Sequence, residues 1–220
     1  MSDQPPAYKL EVDFTGQKDS TCVLHMVPWH NWGDVRWAGV EPLPVPDPIV
    51  YRVDSKRVHV LTDYPSTRGV KPIFTERMLN ALFAVKPFGY RLYPVEIRCR
   101  GQALPPPSPA LLYSLVQLTE HFDGFDADRS DWEPWGRNPS LIEELYRLEL
   151  KIPPEGLPPI FRIPERPTTL FVSAEGREAL LAAGIRGVDF KSCFELLSQR
   201  YKQARIEEGK YHPPPTTRPL

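Results

Sequence analysis

Six acidic side chains crowd the segment from residue 120 to residue 133, which we call the acidic loop. They are Glu120, Asp123, Asp126, Asp128, Asp131 and Glu133. Paired carboxylates can bind a divalent cation or perform acid–base catalysis. The spacing does not fit a calcium-binding EF-hand loop, because the glycine and the terminal glutamate are not at the required positions. A solvated or partner-facing loop is therefore the preferred interpretation, and a metal-dependent hydrolase is the alternative.

Two tryptophans, Trp132 and Trp135, lie at the end of the acidic loop on either side of Glu133 and Pro134. A large flat side chain beside charge is a frequent anchor in protein interfaces. The alternative is that both indoles pack inward and pin a long loop. We take as candidate partner-binding residues Asp123, Asp126, Asp128, Asp131, Trp132 and Trp135.

The sequence contains no recognisable catalytic motif. The five histidines show no metal-ligand spacing with one another or with the cysteines. They are His25, His30, His59, His121 and His212. A Gly-x-Ser-x-Gly nucleophile elbow and a glycine-rich phosphate loop are also missing from the sequence. We therefore expect a protein that is not an enzyme, with no catalytic residue, metal or cofactor.

Composition indicates a cytoplasmic protein without a nucleic-acid or membrane partner. The 27 basic and 28 acidic residues give a formal net charge of -1, so no overall charge attracts DNA or an anionic membrane. Three distant cysteines, Cys22, Cys99 and Cys193, are typical of reduced thiols in a cytosol. We find neither a signal-peptide pattern nor an apolar stretch of membrane-spanning length.

The 27 prolines require short elements joined by stiff connectors, while the aromatic residues argue against disorder. In the first half, strands are predicted at residues 8–14, 22–27, 49–53, 58–61 and 90–99. Pro94 makes the last of these an edge strand or a broken one. A helix capped by Thr75 precedes it and stops at Lys86 and Pro87.

After a proline-rich connector at residues 101–109, strands are predicted at 111–118, 141–152, 168–172 and 187–190. One helix is capped by Ser173 and closed by Gly184, and a final helix begins at about Ser192. The predicted fold is α+β, a mixed and mainly antiparallel sheet with a few packed helices. Its divisions are residues 1–100, residues 110–206 and a flexible tail at 207–220, unless the first two form one continuous domain.

Two segments of the chain are similar to each other. Phe74 and Thr75 lead into a helix that is followed by Gly89 and a strand, and residues 172–173 lead into a second helix that is followed by Gly187 and a strand. Strand, capped helix, glycine and strand form a common unit. Whether the two segments arose by internal duplication therefore stays open.

Several motifs recur in a recognisable order. They are the apolar run at residues 111–118, the Asp-x-x-x-Ser motif from Asp126 to Ser130, the Ile-Phe-Arg-Ile segment at 160–163, and the closing module from 170 to 190, in which Phe-Val-Ser leads into a helix and then a glycine-containing run that ends at Phe190. Together with residues 75–97, they resemble a family of bacterial polymorphic-toxin immunity proteins. The resemblance implies a protein that binds and neutralises a cognate toxin by direct occlusion. It implies no catalytic residue, and toxin identity and oligomeric state stay open, with a non-inhibitory adaptor as a further alternative.

Overall fold

The computed structural model of the chain describes residues 4–13, 23–27, 38–45, 48–53, 62–67, 72–99, 102–103 and 112–214. Within these residues the fold is α+β, with mixed and mostly antiparallel sheets, which confirms the predicted class. The predicted strand at residues 58–61 and most of the predicted connector at 101–109 lie outside the described residues.

Most of the described strands have six residues or fewer, as the proline content predicts, but two, Tyr90–Cys99 and Asn138–Arg147, have ten. Along the chain the strands are β1 (Ala7–Val12), β2 (Val23–Val27), β3 (Ile49–Val53), β4 (Ser66–Thr67), β5 (Ile73–Thr75), β6 (Tyr90–Cys99), β7 (Gln102–Ala103), β8 (Tyr113–Leu118), β9 (Asp131–Trp135), β10 (Asn138–Arg147), β11 (Ile160–Phe161), β12 (Phe171–Ser173) and β13 (Val188–Ser192). The helices in the described residues are α1 (Glu76–Val85), α2 (Ala174–Ala182) and α3 (Gln199–Glu207).

Two larger sheets form the framework. One has the strand order β11-β12-β1-β13 and is antiparallel throughout. The other has the order β4-β2-β3-β6-β8-β5, with β7 also paired to β6. Its β2–β4 and β3–β6 pairs are parallel. β6 changes partner at Pro94, because its first half pairs with β8 and its second half pairs with β3.

The β9–β10 hairpin forms a third, two-stranded sheet. All of residues 120–133 were predicted to form a loop, whereas β9 begins at Asp131 and pairs with β10 through several register shifts. Pro134 and the acidic composition hid this strand, since both are depleted in strands. The hairpin therefore fixes the end of the acidic loop, including Trp132 and Glu133.

Local sequence signals place α1 and α2 as predicted. The Thr75 hydroxyl accepts a hydrogen bond from the Met78 amide at 3.3 Å, and the Ser173 hydroxyl accepts one from the Gly176 amide at 3.0 Å. α1 ends before Pro87, whose ring disfavours helical backbone at Lys86. α2 ends at Ala182 with Ala183 as its cap, and the following Gly184 takes the left-handed conformation with φ of 62°.

The two similar segments adopt matching arrangements. In the first, β5 and β6 flank the antiparallel β8, and in the second, β12 and β13 flank the antiparallel β1. The helix caps Thr75 and Ser173 lie opposite Tyr113 and Ala7, which each begin the middle strand. The helices α1 and α2 pack against each other. Each unit is thus a strand, helix and strand with a third strand inserted between the outer two.

The middle strand of each unit comes from the other side of the predicted connector. β1 lies in the first half of the chain but pairs with β12 and β13, and β8 follows the connector but pairs with β5 and β6. The sheets therefore do not separate along the chain at residues 101–109. Residues 1–100 and 110–206 each contribute a strand to the framework of the other.

The four-stranded sheet is covered on both faces. On one face, Tyr8, Leu10 and Val172 pack in a cluster with residues of α1 and α2, including Met78, Leu82 and Leu180. On the other face, Ala7, Phe161 and Phe171 pack with residues of the β9–β10 hairpin, including Trp132 and Leu145. Successive residues of β1 point to opposite faces of the sheet, so the strand that was predicted to be buried on one face contributes to two cores.

A buried carboxylate, Asp63, connects the two units. Its Oδ1 accepts hydrogen bonds from the Thr75 hydroxyl at 2.8 Å and Arg77 Nε at 3.2 Å. Its Oδ2 accepts from Arg77 Nη2 at 2.6 Å and from the Arg186 amide at 2.9 Å. Burial raises the pKa of Asp63, but the bonds from Arg77, Arg186 and Thr75 outweigh burial and hold it below its ordinary value. The side chain therefore ties the cap of α1 to the turn after α2.

The final helix begins later than predicted, at Gln199 instead of near Ser192. Ser198 provides its cap, because the Ser198 hydroxyl accepts a bond from the Tyr201 amide at 3.2 Å. Two backbone amides before Ser198 donate hydrogen bonds to distant carbonyls. The Cys193 amide donates to the Ala7 carbonyl at 3.2 Å, and the Leu196 amide donates to the Tyr146 carbonyl at 2.8 Å. These long-range bonds keep the segment before Ser198 out of the helix.

Helix α3 is held against the hairpin by charged and aromatic contacts, and none of its residues is buried. Glu133, which is inaccessible, accepts bonds from Arg205 Nε and Nη2, each at 2.9 Å, from the Tyr146 hydroxyl, and from the His212 amide at 3.0 Å. The Lys202 amine lies 5.2 Å from the centre of the Tyr211 ring. Tyr211 and His212, which were predicted to belong to the flexible tail, are thus in contact with the hairpin. Residues 215–220 lie outside the described part of the chain.

Cys193 is a buried free thiol, and burial raises its pKa to about 11. Cys22 and the Cys99 side chain lie outside what the structure describes. Within the described ranges, no helix has both the length and the apolar character needed to cross a membrane.

We expect Ser173→Ala to lower the free energy of unfolding by about 2 kcal/mol, at the upper end of the range for lost helix caps. The reason is that Ser173 is fully buried, so water cannot replace its bond to the Gly176 amide. Urea denaturation would measure the change. Ser198→Ala is the matched control, since it removes an exposed cap from a helix without buried residues and should cost less. Equal losses would contradict this assignment.

Candidate protein-binding surface

Asp126 and Ser130, the two ends of the Asp-x-x-x-Ser motif, stabilise the acidic loop from within. Asp126 is largely buried, and its Oδ1 accepts a bond from the Arg129 amide at 3.3 Å. The Ser130 amide donates to the Asp126 carbonyl at 2.9 Å, and the Ser130 hydroxyl accepts from the Glu149 amide at 2.9 Å. The motif therefore forms a turn that is attached to the segment after β10.

Two further carboxylates of the loop contact helix α3. Both Asp131 oxygens lie 2.8 Å from Lys202 Nζ. Glu133 is paired with Arg205, and its pKa, which burial alone would raise, is held below the ordinary value by Arg205, Tyr146 and the His212 amide. These carboxylates hold the C-terminal helix in place.

The two tryptophans have different environments. Trp132 is buried beside the ring of Phe125, 5.6 Å away in an edge-to-face arrangement, and its Nε1 donates to the Ala127 carbonyl at 3.2 Å. This is the inward packing that sequence analysis gave as its alternative. Trp135, at the end of β9, is 40% exposed. Asp123 and Asp128 are exposed as well.

The carboxylates of the acidic loop do not converge. Asp126 lies in a turn, Asp131 and Glu133 point to separate cations on α3, and Asp123 lines a pocket described below. Among the described residues, no group of three or more His, Cys, Asp or Glu side chains could hold a metal ion. A hydrolase built on this loop would need carboxylates sharing one site. The geometry therefore gives the hydrolase alternative no support at this loop.

A pocket of about 280 Å³ opens beside the first residues of the acidic loop, and we call it the Phe88 pocket. Its apolar walls include Phe88, Leu118, Phe122, Ile160 and Phe161. Its polar rim is formed by Lys86, Glu120, His121 and Asp123. The volume lies just below the roughly 300 Å³ at which small-molecule pockets begin. It suits one large side chain.

Close backbone contacts fix the shape of the Phe88 pocket. The Thr119 amide donates to the Gly89 carbonyl at 3.1 Å, and a Cβ at Gly89 would lie 2.2 Å from the Thr119 hydroxyl. On the opposite side, the Phe122 amide donates to the Arg162 carbonyl at 2.7 Å, and the Phe122 ring packs edge-on against Phe161 at 5.2 Å. The walls are therefore preformed.

The charged rim residues are partly held by backbone carbonyls. Lys86 Nζ donates to the Glu155 carbonyl at 3.0 Å and lies 3.4 Å from that of Gly156. His121 Nε2 lies 2.8 Å from the Ala38 carbonyl. Glu120 and Asp123 are exposed at the same rim, so the mouth of the pocket displays negative charge around an aromatic interior.

The aromatic surface extends beyond the pocket. The Phe88 ring lies 5.2 Å from Tyr90 and 6.1 Å from Phe83, which is 44% exposed. These three rings form a continuous group. Phe83 lies on α1, before Lys86 and Pro87, and Phe88 and Tyr90 follow them in the sequence. Exposed aromatic groups next to a pocket are a common feature of protein interfaces.

Of the residues near this surface, the acidic composition predicts Asp123 and Glu120, whereas Phe83, Phe88 and Tyr90 were not predicted. The one feature of the sequence that could have predicted these three aromatic residues is their clustering around the end of α1, since Phe88 directly follows Pro87. Phe122 and Phe161 could not be associated from the sequence, because they meet only through the packing of the acidic loop on β11. The candidate surface therefore combines one predicted segment with an unpredicted aromatic neighbour.

The Phe88 pocket, its acidic rim and the adjoining rings form the surface with the clearest binding character in the described residues. Comparison of the chain with models of known protein families and with curated proteins found no match.

Proposed function

We propose that this chain is the immunity protein of a bacterial polymorphic-toxin system, which binds a cognate toxin in the cytoplasm and neutralises it by direct occlusion. The sequence resemblance at residues 75–97 and 111–190 suggests the family. The observation that carries the proposal is the Phe88 pocket, a preformed aromatic cavity with a carboxylate rim beside exposed rings. This combination suits a protein partner.

The pocket would accept one anchoring side chain of the toxin. A cavity of about 280 Å³ with aromatic walls excludes water from such a side chain, which is the condition for a large contribution to binding. Glu120 and Asp123 at the mouth favour a basic residue there. Phe83 and Tyr90 would extend the contact toward an interface of standard size, about 800 Å² per partner.

The acidic rim also determines the expected kinetics. Exposed charges around an apolar centre accelerate the encounter with an oppositely charged surface and favour the correct partner. A toxin that binds nucleic acid or another anionic substrate would present such a basic surface. Covering that surface would block substrate access without chemistry by the immunity protein.

We expect the double substitution Glu120→Lys with Asp123→Lys to weaken toxin binding about tenfold or more, mainly through slower association at low salt. Both side chains are exposed, so the fold should be retained. The protein to be tested as the toxin is the product of the neighbouring reading frame. Binding kinetics and rescue of growth on co-expression would measure the effect. Asp189→Lys, an exposed charge reversal on β13, is the matched control and should bind normally.

Other outcomes separate the alternatives. Co-purification with the neighbouring protein without rescue of growth would favour an adaptor. Turnover of a substrate that is lost when one buried carboxylate is replaced would favour an enzyme. If the double variant and wild type bind the toxin equally, the surface around the Phe88 pocket is not the interface. Asp128 and Trp135 then become the next candidates.

A further inference from the structure

Strand β13 lies at one end of the four-stranded sheet. It pairs with β1, and among the described residues no strand pairs with its other side. The backbone groups of alternate residues in an antiparallel strand point to opposite sides. The Cys193 amide donates to the Ala7 carbonyl at 3.2 Å, so residues 189 and 191 point to β1 as well. Val188, Phe190 and Ser192 therefore point to the other side, which we call the β13 edge.

Like charges face each other across β1 and β13. Lys191 is opposite Lys9, and Asp189 is opposite Glu11. Such pairs destabilise a sheet. Glu11 compensates for the two lysines, because its carboxylate lies 2.5 Å from Lys9 Nζ and 2.8 Å from Lys191 Nζ. Asp189 is exposed and accepts a local bond from the Phe190 amide at 2.8 Å, but it forms no ion pair with a described residue.

The order of charges along β13 fits a second copy of this chain. Asp189 and Lys191 are exposed and lie on either side of Phe190. An antiparallel pair of β13 strands centred on Phe190 would place each Asp189 opposite a Lys191, which is a favourable cross-strand pair. Charged residues of one sign usually protect an edge strand, because they repel in self-pairing. Residues of opposite sign at symmetric positions attract instead.

The other face of β13 provides aromatic surface at the same centre. The Phe190 ring is partly exposed and lies edge-on to Tyr8, with 6.5 Å between the ring centres. The Arg177 guanidinium lies 5.5 Å from the centre of the Phe190 ring. In a pair centred on Phe190 the two Phe190 rings become cross-strand neighbours, and aromatic pairs of this kind stabilise antiparallel sheets. The charges and the aromatic rings therefore favour the same register.

We propose that this chain forms a homodimer by antiparallel pairing of two β13 edges, centred on Phe190. The pairing joins two four-stranded sheets into one across a two-fold axis. The Phe190 amide exchanges its local bond for one to the Phe190 carbonyl of the second copy, which releases Asp189 to contact Lys191 across the interface. Other segments line the Phe88 pocket, so the dimer does not depend on toxin binding.

Sedimentation equilibrium of the full chain at low salt, over a range of concentrations, tests the dimer. Asp189→Lys places like charges opposite each other at two symmetric positions, so we expect at least about tenfold weaker dimerisation. Lys191→Asp should have the same effect. The double substitution Asp189→Lys with Lys191→Asp restores opposite charges and should recover dimerisation to within about threefold of wild type.

Amide hydrogen exchange locates the interface. The Val188 and Ser192 amides point to the β13 edge, so their exchange should slow as the dimer forms. Glu143→Lys is the matched control, since it makes the same charge change as Asp189→Lys at an exposed position on β10 and should leave dimerisation unchanged. Circular dichroism establishes that each variant is folded. If one single variant does not fold, the other and the double variant provide the comparison.

A chain that stays monomeric up to about 1 mM would overturn the proposal. A dimer that both single variants leave intact would overturn it too, because another surface would then hold the two copies together. Failure of the double variant to recover dimerisation would exclude the register centred on Phe190. Slower exchange at Val188 and Ser192 that requires the neighbouring gene product would assign the β13 edge to a strand of that protein, and would equally contradict the homodimer.

Discussion

Asp63→Ala is expected to lower the free energy of unfolding by about 3 kcal/mol, at the upper end of the cost of leaving buried hydrogen-bonding groups without their partner, since Arg77 itself is 41% exposed. The side chain is inaccessible and accepts bonds from Thr75, Arg77 and the Arg186 amide. Its removal leaves the Arg186 amide and the Thr75 hydroxyl without this acceptor and releases the turn after α2 from α1. Chemical denaturation monitored by circular dichroism measures the change.

Asp189→Ala provides the control for Asp63→Ala, because Asp189 is exposed and its Oδ1 accepts only a local bond from the Phe190 amide. We expect a change within about 0.5 kcal/mol there. Amide exchange should also increase at both α1 and α2 in Asp63→Ala, since the carboxylate connects the two units. A loss below about 1 kcal/mol, or exchange confined to one helix, would contradict its role as a connector.

Glu133→Ala is expected to cost at least as much, about 3–5 kcal/mol, and to release helix α3 from the β9–β10 hairpin. Glu133 is inaccessible and accepts bonds from Nε and Nη2 of Arg205, whereas the other ion pair that holds α3, between Lys202 and Asp131, is partly exposed and no residue of α3 is buried. Denaturation and amide exchange of α3 measure the two effects. Replacing both Glu133 and Arg205 by apolar residues should recover part of the loss, because no uncompensated charge then remains.

The pH dependence provides a further check on Glu133. Its folded pKa is below the ordinary value, so its stabilising contribution is complete above the unfolded pKa near 4.3 and is lost as pH falls through the folded pKa. Wild type should therefore lose this stability in acid, whereas Glu133→Gln should lose less over the same range. Glu208→Ala, which breaks an exposed pair with Lys210, should change stability little. Parallel pH profiles for wild type and Glu133→Gln would contradict the assignment.

Local signals made α1 and α2 predictable. Thr75 and Ser173 cap their helices through bonds within three residues, and Pro87 and Gly184 end them through their own backbone preferences. The start of α3 was predicted too early because bonds from Cys193 and Leu196 to distant carbonyls decide it. No pattern within that segment reports where Ala7 or Tyr146 will lie.

The candidate site, too, could be predicted from local sequence only in part. Acidic composition located the segment around Asp123, but it could not reveal that Asp131 and Glu133 hold α3, since both partners lie about seventy residues away in sequence. From the sequence, Trp132 could be an interface anchor or a core residue, and its contact with Phe125 in the structure makes it a core residue. The Phe88 pocket requires three separate segments to meet, and only the tertiary structure brings them together.

The position of β1 in the four-stranded sheet has a consequence for biosynthesis. β1 leaves the ribosome early, yet its partners β12 and β13 lie at residues 171–192. At translation rates of roughly 5–20 residues per second, the nascent strand waits on the order of ten seconds or more for its neighbours. During that interval Tyr8 and Leu10 lack their strand partners, so this sheet is completed only after residue 192 is synthesised, and a chaperone has time to bind the β1 segment first.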